Sequence, residues 1–101
     1  MFGLITTILT LFAGAAVIYA AILSVNAVAN WFRNRQAMVQ SDRNNIAFTI
    51  RERLNSGSYN VYQGVFNTSS QQLLDGQKIE VEKLDDELEQ LHRNEDMVVF
   101  Q

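Results

Sequence analysis

His92 and the carboxylates at positions 80, 82, 85, 86, 87 and 89 are the side chains whose types and spacing suit chemistry in this chain. A histidine beside a carboxylate makes a general acid–base pair, and clustered acids hold divalent cations. Neither pattern is completed. His92 is the sole histidine, and no Ser/His/Asp set, HExxH run or Gly-rich phosphate loop accompanies it. It falls in the last turn of an expected helix, where an imidazole serves the negative end of the helix dipole. The acids lack the Asp-x-Asp-x-Asp-Gly spacing of a calcium loop, and acids that open a helix answer to its positive end without any ligand. Asp85, Asp86 and Glu89 remain as a candidate docking face for a basic partner, beside the plainer reading of a solvated helix face. The chain contains no cysteine, which excludes disulfides and thiolate chemistry. The expectation is a protein that is not an enzyme, with no cofactor, no metal and no small-molecule substrate.

The elements that would carry these residues divide sharply by charge. No Lys, Arg, Asp or Glu occurs before Arg33, although the mean hydropathy of the 101 residues is near zero at −0.05. Residues 33–53 then hold five arginines against Asp42 and Glu52, a balance of +3, and residues 75–96 have a balance of −6. A basic collar beside an apolar segment, with an acidic far end, points to a membrane-proximal arrangement and to no nucleic-acid partner.

The apolar run from Gly3 to Val25, "GLITTILTLFAGAAVIYAAILSV", is 23 residues long, and 11 of them are Leu, Ile, Val or Phe. As one helix it would rise roughly 35 Å, enough for a hydrocarbon core of about 30 Å. A cleaved secretory signal ending at "AVA" (27–29) is the rival, but the run has no positive n-region and exceeds the usual length of an apolar signal core. The sequence therefore predicts a single-pass transmembrane helix within residues 1–35. Trp31 and Phe32 would lie at headgroup level and Arg33 and Arg35 on the inner side, giving a cell-membrane protein with its N-terminus outside and its C-terminal domain cytoplasmic. Within that helix Thr6, Ala13, Ala20 and Ala27 recur every seven residues, and Thr10, Gly14, Ala21 and Ser24 lie on or beside the same face. Such small residues let helices approach closely.

The remainder reads as a small α+β domain. Residues 36–57 form a connecting or juxtamembrane segment: Ile46, Ile50 and Leu54 fit a helical stripe, while Ile46, Phe48 and Ile50 also fit the period of two of a strand. The helical reading is favoured by the RERL run. Within residues 58–101, "YNVYQGVFN" (59–67) reads as a strand with edge-pairing potential, Gly64 marking a close backbone approach or a bulge. "TSSQ" is a turn, and "QLLDGQKIEVE" (72–82) is a strand interrupted at Asp75-Gly76 by a hairpin turn or bulge. "KLDDELEQLHR" (83–93) is a helix with Leu84, Leu88 and Leu91 on one face, and "DMVVFQ" closes as a strand. The expected architecture is thus a transmembrane helix, then a helix, two or three antiparallel strands, a helix and a C-terminal strand. A domain of that size folds alone only marginally. The expected role is a non-catalytic accessory or scaffold subunit of a membrane complex, with lipid and other subunits or copies of itself as partners. The alternative is a self-assembling ring, pore or filament.

Overall fold

The charge-free N-terminal run is divided among three short elements of opposite types. The computed structural model describes residues 2–100, without the side chain of Phe2; Met1 and Gln101, at the ends of the expected segments, lie outside the described residues. The chain forms α1 (Phe2–Leu11), β1 (Val17–Leu23), α2 (Val25–Arg33), α3 (Gln36–Gln40), β2 (Asn45–Arg53), β3 (Tyr59–Asn67), β4 (Gln72–Leu84), α4 (Asp86–Leu91) and β5 (Met97–Phe100).

The transmembrane expectation is overturned. Among the described residues no helix is long and apolar enough to cross a membrane. With 10 residues, α1 rises about 15 Å, half a hydrocarbon core. The span, its outward N-terminus, the cytoplasmic domain and the cell-membrane location inferred from it all fall with that helix. The interruptions have local causes. Gly14 takes a φ of +81°, a left-handed conformation suited to glycine and to the chain leaving a helix. The β-branched and aromatic Val17-Ile18-Tyr19 then open a strand. Ser24 caps α2, its hydroxyl accepting from the Ala27 amide at 3.1 Å. The apolar run is buried against protein instead. Ile8 and Phe12 pack with Phe48, Ile50, Tyr62 and Phe66, while Leu23 and Val28 join Val61, Ile79, Val81, Leu84 and Leu88.

These two clusters lie on opposite faces of one five-stranded sheet with the order β1-β4-β3-β2-β5. β1 runs parallel to β4, and the β4–β3, β3–β2 and β2–β5 pairs are antiparallel. α1 covers one face; α2 and α4 cover the other. The preference for helix at 45–53 is also corrected. Those residues are β2, and the period of two seen in Ile46, Phe48 and Ile50 is the one that holds: all three pack in the α1 cluster while Ala47 and Thr49 point to the opposite face. Each turn of an isolated RERL helix is worth little beside a strand pairing along its whole length with β3.

β3 occupies 59–67 and the turn 68–71 follows it. Its neighbour β4 runs straight through Asp75-Gly76 without a hairpin turn, with a bulge where Val65 faces Asp75 and Phe66 faces Leu73, leaving Leu74 unmatched. Gly64 faces Gly76 across the ladder. A Cβ on Gly64 would stand 2.6 Å from the Asp75 carbonyl oxygen, and one on Gly76 would stand 2.8 Å from the Phe12 ring. Gly76 thus makes the seat on which Phe12 anchors α1, edge-on to Phe48 and Tyr62, while Gly64 leaves room for the Asp75 carbonyl and the Phe48 ring.

Candidate functional site

β1 stands at the open edge of the sheet, hydrogen-bonded to β4 alone. Proteins guard such edges with charge, proline, bulges, shortness or a covering element, because unpaired N–H and C=O groups template further pairing. "VIYAAIL" has no charge and no proline, and its register with β4 runs without a shift. Ile18 is 49% exposed, Tyr19 74% and Ile22 52%. The opposite edge is unlike it: β5 has only four residues and follows the acidic Glu95-Asp96 pair. An open, seven-residue, uncharged apolar edge leaves backbone groups and apolar side chains unpaired, the two components that strand addition uses.

The residues singled out in sequence are distributed differently. Thr6, Thr10, Ala13 and Gly14 are exposed on α1 and the turn after it; Ala20 and Ala21 belong to β1, Ser24 is a cap, and Ala27 is exposed on α2. No single helix face unites them, since the seven-residue repeat crosses from helix to strand to helix. Of the set, Ala20 and Ala21 lie on the open edge. The residues expected at headgroup level are folded into the protein. Phe32 packs on Phe100 at 5.3 Å, and Trp31 is covered by the Arg35 guanidinium at 3.7 Å. Arg35 also pairs with Asp75 at 2.7 Å and donates to the Trp31 carbonyl. Arg33 is exposed and donates to the Asn30 side chain.

Asp85 has a structural task. Its carboxylate caps α4 through the Leu88 amide at 2.9 Å and also accepts from the Val25 amide at 3.0 Å, so one side chain ties the starts of α4 and α2 together. Asp86 and Glu89 are exposed along an open cleft lined by Arg51, Arg53, Gln90 and Arg93. Among the described residues, no group of three or more acidic or histidine side chains is arranged to hold a metal ion.

His92 is fully buried, which its place at the helix end did not announce. Nδ1 lies 3.0 Å from the Glu95 carbonyl, which only accepts, so Nδ1 carries the proton and Nε2 accepts from the Thr49 hydroxyl at 2.7 Å. Burial pushes the imidazole below its ordinary range, the Glu95 carbonyl opposes this, and the nearby Arg51 charge adds to it. Beside it, buried Gln63 donates to the Val28 carbonyl and accepts from Gln77. These groups satisfy one another and present nothing to a substrate. On the α1 face, burial and then the hydrogen bond to Glu52 push the Tyr62 phenol up to about 12.

The exposed trio Ile18, Tyr19 and Ile22 went unrecognised in the sequence. Its available signals were Gly14 ahead of a Val-Ile-Tyr triplet and a serine able to cap a new helix behind it. Set against family models, curated proteins and solved structures, the chain matches none.

Proposed function

We propose that this chain is a non-catalytic interaction module, a small accessory or scaffold subunit that joins a larger assembly by strand addition at β1. The observation that carries the reading is the open edge itself, seven residues long and uncharged, with Ile18, Tyr19 and Ile22 facing solvent. Ile18 and Ile22 are already half buried, so completing their burial recovers roughly 1 kcal/mol each, about half the value for a fully exposed side chain. A partner strand supplies that burial together with a ladder of backbone hydrogen bonds. The buried His92, Thr49 and Gln63 side chains are all engaged in hydrogen bonds within the fold, which fits a scaffold better than a catalyst.

The test compares the full chain with an Ile18→Lys, Ile22→Lys variant, each recovered from its native cells after mild cross-linking. Both positions are half exposed, so the variant is expected to keep its cooperative thermal melt while losing the chains that cross-link to the wild type. Recovery of the same chains with a folded variant would count decisively against the reading.

A further inference from the structure

We propose that the occupant of the β1 edge is β1 of a second copy, paired antiparallel about a two-fold axis through Ala20, so that two five-stranded sheets become one continuous sheet. This rests on the reading of β1 as the docking edge and names the partner.

The register follows from the strand's own sequence. Centred on Ala20, antiparallel pairing sets Val17 opposite Leu23 of the second copy, Ile18 opposite Ile22, Tyr19 opposite Ala21, and Ala20 opposite itself. On the face shared with α2 and α4, Ile18 and Ile22 meet across the axis and extend the cluster that already includes Ala20, Val81 and Ile79. On the α1 face the largest side chain, Tyr19, lies against the small Ala21, so bulk meets space at both symmetric positions. Charge agrees as well. The strand carries none, so self-pairing brings no like charges together, and a charged partner strand would find no counter-ion on it. Antiparallel pairing closes under two-fold symmetry, so each copy uses its long edge and, among the described residues, the four-residue β5 edge is what stays open. Pairing β1 to the four-residue β5 of another copy would instead build an open filament on a much shorter ladder.

Area sets the strength. Seven residues span about 23 Å and a sheet edge is about 10 Å thick, so the pairing hides on the order of 200–300 Å² per copy. The total falls below the roughly 1,200–2,000 Å² of stable complexes, which places the dimer in the weak, concentration-dependent class.

The experiment is sedimentation of the purified full chain over a wide concentration series, joined to cysteine cross-linking, which the cysteine-free sequence makes clean. The expected result is a reversible monomer–dimer equilibrium that Ile22→Lys weakens at least tenfold. In the proposed register the two Ala20 Cα atoms stand about 4.5–5.5 Å apart, within disulfide reach. The two Val17 positions stand about 20 Å apart. Ala20→Cys should therefore oxidise to a covalent dimer and Val17→Cys should not. Cross-linking of both variants indicates a parallel register and overturns the proposal. So does a monomer at millimolar concentration, growth beyond the dimer, or an equilibrium indifferent to Ile22→Lys. If the chain stays monomeric yet the Ile18→Lys, Ile22→Lys variant loses its cellular partners, the second copy is the wrong occupant and the docking edge stands. If the variant keeps those partners as well, both fall.

Discussion

β3 and β1 are both uncharged strands of one sheet, yet they stand in opposite situations. β3 has a neighbour on each side, and every residue from Val61 to Asn67 is buried. β1 has one neighbour, and four of its seven residues are exposed. The central strand contains the polar Gln63 and the side-chain-free Gly64, while the edge strand is wholly apolar apart from the hydroxyl of Tyr19. Apolarity therefore does not report depth in this molecule. A polar group is accepted at the centre because its partners are fixed: Gln63 is held by Val28 and Gln77, and Gly64 admits the Asp75 carbonyl. The apolar groups at the edge have no equivalent account within the chain, and that imbalance is what an external partner would remove.

The contrast is sharpest in stability. Phe66 of β3 is fully buried between α1 and the sheet. Phe66→Ala leaves a cavity there and is expected to cost about 3–5 kcal/mol, enough to unfold much of a small domain's population. A urea denaturation midpoint measures it. A loss below about 1 kcal/mol would mean that the site collapses freely and that β3 is less of a fixed centre than its burial indicates.

A smaller effect is expected from acid. Thr49, which pairs with Gln63 of β3 across the ladder, hydrogen-bonds the buried neutral ring of His92. The folded imidazole titrates below its ordinary value of 6.5, so as pH falls through that value the unfolded chain takes up the proton first. Stability that is full above the unfolded value is therefore lost toward the depressed folded one, by at most about 1.4 kcal/mol per pH unit. Burial is the main cause of the shift, and Glu95, Arg51 and Asp96, which face the same ring, adjust it. The expected observation is a lower urea midpoint at pH 5 than at pH 7, with the difference reduced in His92→Gln. An unchanged difference in that variant would assign the acid sensitivity to carboxylates.

The same contrast explains what was legible in the sequence. The strand at 59–67 could be read because aromatic and β-branched residues are concentrated there between turn residues, and Gly64 signalled the close approach that the Asp75 carbonyl makes. Its edge-pairing potential was misplaced, since nothing local states whether a strand has one neighbour or two. β1 was hidden in a charge-free run whose length satisfied a bilayer. Ala20-Ala21-Ile22 suits helix and strand alike, and only long-range pairing with Lys78–Leu84 decides between them. The seven-residue recurrence of small residues was real in spacing but spread over α1, β1 and α2. His92 was assigned to the helix dipole, because its partner Thr49 lies 43 positions away. Asp85 was placed at a helix start, where it does act as a cap, but its second bond to Val25 spans 60 positions and has no sequence signature.

The smallest expected effect tests the edge directly. Tyr19 is 74% exposed and faces outward from β1. If its bulk contributed to the fold of the single chain, truncation would be costly. If it is held for a partner, Tyr19→Ser should change the urea midpoint, measured in dilute solution where the chain is monomeric, by no more than about 0.5 kcal/mol, the range of surface substitutions away from special features. Serine has a lower strand preference than tyrosine, so a small loss is the expected sign. The informative comparison is with the same variant at high concentration. There the wild type should gain stability by mass action on association, while Tyr19→Ser, lacking the side chain that fills the space over Ala21 of the facing strand, should gain less. A loss on the scale of Phe66→Ala in the dilute monomer would erase the distinction between the two strands and return Tyr19 to the ordinary packing of the domain.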